Sequence, residues 1–202
     1  MLSSIHPFGE RSRNNSFGRT ATAHIVGSAV GGLALGVLGG LAGLAATTLV
    51  APSDAARTVI VAVSAAIALA LEVSNRERLL PTRSRQVNEN WIQTYRGWVY
   101  GGGWGAELGF GVSTIITTSL VHLLVVTMVF VGSLTMSATL GLVFGTVRGL
   151  TVLAARSIDS PDRLRSFHRQ LDDYRTRSRS GAIAALGIAV AIGVIGSTGA
   201  VL

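Results

Sequence analysis

Glu107, Arg148, Glu72 and His122 are the residues of this chain best placed to do chemistry, because each falls in or beside a long apolar run. An unpaired charge at the centre of a membrane helix costs about 2.5–3.5 kcal/mol on insertion scales, so it calls for a partner or a polar cavity. Glu107 lies a few residues into one apolar run and Arg148 about two turns before the end of the next. Helical rise puts them at comparable depth on neighbouring antiparallel helices, which predicts an intramembrane Glu107–Arg148 pair. Such a pair is either a structural ion pair or part of a proton or ion pathway with Glu107 titrating. Glu72 closes a shorter apolar run. His122 shares its helix with Thr114, Thr117, Thr118 and Ser119, an unusually polar set for a span.

Other chemistry is excluded by what is absent or badly spaced. His6, His24, His122 and His168 are scattered without metal-ligand spacing, so no metal site is expected. No Ser/His/Asp arrangement is legible, so no catalytic residue is expected and an enzyme is the least favoured class. The chain has no cysteine, which removes disulfides, thiol redox chemistry and cysteine-ligated clusters, and no cofactor is expected. The stretch Gly101–Gly105 lacks the Lys-Ser/Thr of a phosphate-binding loop and reads as a flexible or partly unwound helix start.

The elements that must position these residues are membrane helices. Only 13% of the 202 residues are charged, against roughly 25% in soluble domains, and mean hydropathy is +0.51. The pattern predicts an all-α, polytopic transmembrane bundle with spans at about 24–51, 58–73, 103–126, 129–155 and 181–202. Pro52, Ser53 and Asp54 end the first span, and Gly132-Ser133 is the candidate turn between the third and fourth. Residues 1–23 read as a polar, Arg-rich tail before a single membrane domain at 24–202. The apolar stretch after the tail is too long for a signal peptide, so a retained first helix is expected, with an organelle transit peptide as the lesser alternative.

All seventeen basic residues are arginine, and the net charge is +7. Three lie in the tail, five between Arg76 and Arg96 and seven between Arg156 and Arg179. Five spans put these groups on one side, and the positive-inside rule makes that side cytoplasmic, with a cytoplasmic N-terminus in a cell (inner) membrane. The arginines therefore read as contacts for anionic headgroups, not nucleic acid.

The two long loops share a plan: Pro81-Thr82-Arg83-Ser84-Arg85 then Tyr95-Arg96, and Pro161-Asp162-Arg163-Leu164-Arg165 then Tyr174-Arg175. Each also reads as an amphipathic helix for the headgroup region or for a docking partner. Val87, Trp91, Tyr95 and Trp98 mark one apolar face; Leu164, Phe167, Leu171 and Tyr174 mark the other. Ser160 and Pro161 are a natural N-cap and first helical residue.

Glycines recur four apart in three spans: Gly32, Gly36 and Gly40; Gly101, Gly105 and Gly109; Gly141, Gly145 and Gly149. Each row lies on one helix face and permits close backbone approach, either inside the bundle or to a second copy or a membrane partner.

The run Arg85-Gln86-Val87, then Tyr100-Gly101, Leu108-Gly109-Phe110-Gly111 and Thr114 resembles uncharacterised bacterial multi-pass proteins, notably actinobacterial ones. Through its glycine-rich helices this resemblance extends to thiol-redox transporters of the cytochrome c biogenesis type. It implies a compact small bundle, without the redox activity, because the paired cysteines are missing. The expectation is a non-catalytic membrane subunit or scaffold associating through glycine faces. The rival is an oligomeric small-solute or ion transporter or channel using Glu107 and Arg148.

Overall fold

The computed structural model describes residues 4–76, 79–82, 90–111, 116 and 118–199. It is all helical, with no strand among the described residues. In chain order the helices are α1 (Pro7–Ser12), α2 (Phe17–Val50), α3 (Asp54–Val73), α4 (Trp91–Thr94), α5 (Gly97–Phe110), α6 (Ser119–Phe130), α7 (Leu134–Leu150) and α8 (Pro161–Gly199). A 3-10 turn, Thr151–Ser157, continues α7. Four segments are long and apolar enough to cross a membrane: α2, α3, Leu134–Ser157, and Arg177–Gly196 within α8. Their exposed faces carry large apolar side chains, among them Val30, Leu41, Val63, Val147, Ile188 and Ile192, as lipid requires.

The helix boundaries follow local chemistry. Ala51 takes a left-handed φ of 44°, and Ser53 then caps α3 by accepting from Ala56 N at 3.2 Å. The expected turn at Gly132-Ser133 is present, with Gly132 at φ 75°. Ser160 and Pro161 open α8 as expected, the Ser160 hydroxyl accepting from Arg163 N at 3.4 Å.

Three expectations need correction. The third span, 103–126, is two helices: α5 stops at Gly111, φ 71°, and α6 starts afresh behind the N-cap Thr118. At 14 and 12 residues neither crosses ~30 Å of hydrocarbon alone. The glycine-rich start at Gly101–Gly105 is regular helix, because another helix packs on it. And residues 1–23 are not merely a tail: they hold α1 and the first turns of α2.

The loops also differ from one another. Pro161 begins a helix, whereas Pro81 lies outside any, and Tyr95 is extended between α4 and α5, so no single helix joins Trp91 to Trp98. Arg83, Arg85, Val87, Thr114 and Thr117 lie outside the described residues.

The chain forms two compact units. One comprises Met1–Leu35, Arg83–Ile115 and Gly141–Arg175; the other comprises Gly36–Thr82, Ile116–Leu140 and Thr176–Leu202. In the first, the opening half of α2 is sandwiched by glycine contacts. A Cβ at Gly105 or Gly109 on α5 would overlap backbone carbonyls of His24 or Ser28, and one at Gly145 on α7 would overlap Ser28 O. Gly32 in turn faces Gly141 and Gly145, Gly149 faces Ile25 and Ser28, and Gly101 meets Thr20. Side chains add bonds across these crossings: Ser28 Oγ donates to Gly145 O at 2.7 Å, and His24 Nδ1 meets Gly101 O at 3.2 Å. The core beside them is Ile5, Ala21, Tyr100, Trp104 and Val152.

In the second unit the other half of α2 uses Gly36 and Gly40 against Ser137 and Leu134 at the start of α7. Helices α3, α6 and α8 meet there through Ala65, Ala68, Leu123 and Leu186. All nine glycines singled out by spacing therefore touch another helix of their own unit or a residue packed on it. Close packing inside each unit is what these rows do.

Candidate functional site

The second unit holds Glu72 at the last turn of α3, only 3% exposed. Its Oε2 accepts from Ser119 N at 2.9 Å, from Ser119 Oγ, and from Thr118 Oγ1 at 3.3 Å. A carboxylate thus sits on the N-terminus of α6, where the unpaired N–H groups and the helix dipole favour negative charge. From α8, Arg179 donates to Glu72 O at 2.8 Å, placing a cation on the C-terminus of α3. Sequence spacing marked Glu72 as out of place but gave no partner. The cap lies 47 residues away and only tertiary structure supplies it.

The first unit holds an acid that sequence reasoning passed over. Glu10, on α1, is fully buried. Arg13 Nη2 donates to its Oε1 at 2.8 Å, Thr20 Oγ1 donates to its Oε2 at 2.8 Å, and the Tyr100 hydroxyl donates to Oε1. Arg13 also reaches Ser4 O at 3.0 Å, and Asn15 accepts from Gly97 N at 3.3 Å. Gly97 is obligatory here, since a Cβ would overlap the Thr20 hydroxyl. His6 Nδ1 caps α1 by accepting from Gly9 N at 3.1 Å, which requires a neutral ring. Burial, then the Arg13 charge, pushes the His6 pKa below its usual value. The available signal was that Glu10 is the sole acid before Asp54, set among Arg11, Arg13 and Arg19.

Arg148 and Glu107 share the first unit but do not meet as expected. The ion pairs among the described residues are Glu10–Arg13, Asp54–Arg57, Asp159–Arg163 and Asp162–Arg165. The Arg148 guanidinium instead stands 5.3 Å from the Phe144 ring centre, a cation–π contact. The reason is helix rotation. Gly105 and Gly109 face α2, and Glu107 lies about 160° round the wheel from either. Counting residues along a helix does not give its rotation.

His122 lies on α6, its Nε2 donating to Pro81 O at 2.9 Å, so it serves as a packing residue that ties down the chain after α3. No group of three metal-ligating side chains occurs among the described residues.

Two chemically distinct kinds of place result. One is the buried carboxylate, met once in each unit: Glu72 holds a helix start and Glu10 a terminal segment. The other is a half-buried cation, Arg148, beside a cavity of about 240 Å³ in the first unit. No family model, no curated protein and no solved structure matches this chain.

Proposed function

We propose that the chain is a non-catalytic integral membrane subunit of the cell membrane, with a cytoplasmic N-terminus and an Arg-rich face set against anionic headgroups or a partner. The observation that carries this reading is the first half of α8. Arg163, Arg165 and Arg169 are exposed there together with Leu171 and Tyr174. The ion pairs of Arg163 with Asp159 and of Arg165 with Asp162, both 3.3 Å, are surface pairs of small energetic weight, so these guanidinium groups stay free to exchange partners. The same helix runs on into an apolar segment, which supports a basic half next to a membrane span.

Association no longer needs the glycine rows, which are occupied within each unit. The test is native mass spectrometry after gentle extraction from the native membrane. A fixed set of co-purifying proteins or retained anionic lipids is expected. Replacing Arg163, Arg165 and Arg169 together by Gln should strip them, each arginine near the surface contributing about 1 kcal/mol. Unchanged retention by the triple variant counts against this reading.

A second reading, an oligomeric transporter or channel, is favoured by the division of the expected third span into α5 and α6 with a buried carboxylate at the second start. Broken helices with charged residues at their ends are a recurring device for intramembrane ion sites. It predicts that Glu72→Gln, or Glu107→Gln if the acid of α5 is the titrating group, abolishes proton or ion flux in proteoliposomes while the protein still assembles. Normal flux in both variants removes these acids from any pathway and counts against this reading.

A further inference from the structure

The cavity in the first unit has a composition that neither reading uses. Its polar wall is His24 from α2, Trp104 from α5, and Arg148 and Thr151 from α7 and the turn that follows it. Ile5, Leu108 and Val152 make the rest of the lining apolar. Among the described residues no carboxylate lines it.

One donor of its wall, the Trp104 N–H, lacks an acceptor in a place where that is costly, and among the described residues the Arg148 guanidinium lacks a counter-charge. Trp104 is 1% exposed, and its indole N–H is buried with no hydrogen-bond partner. A buried donor left unmade costs about 1–3 kcal/mol, which is why such groups are almost always paired. Arg148 is half-buried, and among the described residues no carboxylate forms an ion pair with it. The Phe144 ring offers it only a quadrupole. His24 adds a third polar group, held in place by its bond to Gly101 O. Thr151 is not available as a donor, since its hydroxyl already bonds Arg148 O at 2.6 Å.

We propose that this cavity binds an oxyanion on a short apolar body, with Arg148 supplying the charge and the Trp104 N–H the direction. The chemistry is carboxylate or phosphate: a planar guanidinium fork recognises either, and a single indole N–H selects the orientation. The space, about 240 Å³, lies below the roughly 300 Å³ at which pockets begin to enclose drug-sized ligands. It therefore takes a small acid, or the anionic headgroup of a lipid whose chains stay outside.

The full chain in nanodiscs of phosphatidylcholine is the object to test. One arm titrates hexanoate by calorimetry; the other adds phosphatidylglycerol to the discs and follows retained lipid by native mass spectrometry. Saturable binding is expected in one arm, and which arm saturates identifies a free acid or a headgroup as the source. Arg148→Gln and Trp104→Phe should each weaken that binding by about tenfold or more, equal to about 1.4 kcal/mol. Trp104→Phe retains the ring and removes the donor, and its melting curve reports whether the fold survives. Should it unfold, Arg148→Gln decides alone. Absence of saturable binding in both arms, or binding indifferent to the folded variants, overturns the proposal.

Discussion

Gly145→Ala is expected to lower the melting temperature of the detergent-purified protein by about 6–12 °C, a larger loss than any surface substitution should cause. The added Cβ would overlap Ser28 O and lie 2.9 Å from Gly32 Cα. Both are backbone atoms of α2, so no side chain can swing aside. The helices must separate, and the Ser28–Gly145 hydrogen bond at 2.7 Å goes with the contact. Overpacking costs about 1–3 kcal/mol in soluble cores, a clash with rigid backbone takes the upper end of that range, and each kcal/mol shifts the midpoint by about 2–4 °C at this chain length. Gly187→Ala is the control. Nothing lies within 4 Å of a Cβ there, so the midpoint should hold or rise slightly through better helix propensity. Differential scanning fluorimetry on both variants reads the contrast. Equal midpoints would mean that α2 and α7 do not meet through these glycines. A leucine at Gly145 should register as loss of the folded chain itself, upstream of any loss of association.

How much of this was legible in the sequence depends on the range of the interaction that decided each feature. Helix ends with local causes were readable: Pro52-Ser53-Asp54, Gly132-Ser133 and Ser160-Pro161 all mark boundaries where the structure has them. The four-residue glycine spacing gave the packing faces correctly, because a spacing and a helical face are the same information. What it could not give was the partner. The break between α5 and α6 falls in sequence that stays apolar from Leu108 to Phe130 apart from hydroxyls and His122. Hydropathy sees no end there. The end is set by a positive φ at Gly111 and by Glu72 capping a helix start far along the chain. The missed Arg148 environment has the same origin, since depth along a helix can be counted but its rotation follows from glycine contacts on the opposite side.

The terminal segment makes the sharpest case, and Glu10→Ala should release it. Glu10 accepts from Arg13, Thr20 and Tyr100, and Tyr100 and Thr20 are as buried as the acid itself. Truncation leaves two buried hydroxyls without an acceptor, at about 1–3 kcal/mol each, and frees Arg13 from its only ion pair among the described residues. The loss should stay local, because α1 is joined to the rest of its unit mainly through this carboxylate, Ile5, and the bond from Phe8 N to Ile158 O at 3.1 Å. Trypsin reads it directly, since cutting after Arg11, Arg13 or Arg19 requires the segment to open. An opening equilibrium raised by about 3 kcal/mol speeds cleavage about a hundredfold when reclosing is fast. The α8 arginines serve as the internal reference, since cutting there should be unchanged. Acid should act in the same direction on the parent chain. The folded pKa of His6 is depressed, so its contribution is full above the ordinary value of 6.5 and is lost as pH falls through the folded pKa, when protonation removes the acceptor for Gly9 N. If Glu10→Ala is cut no faster than the parent, the carboxylate does not hold the segment, and the burial of Ile5 alone must account for its order.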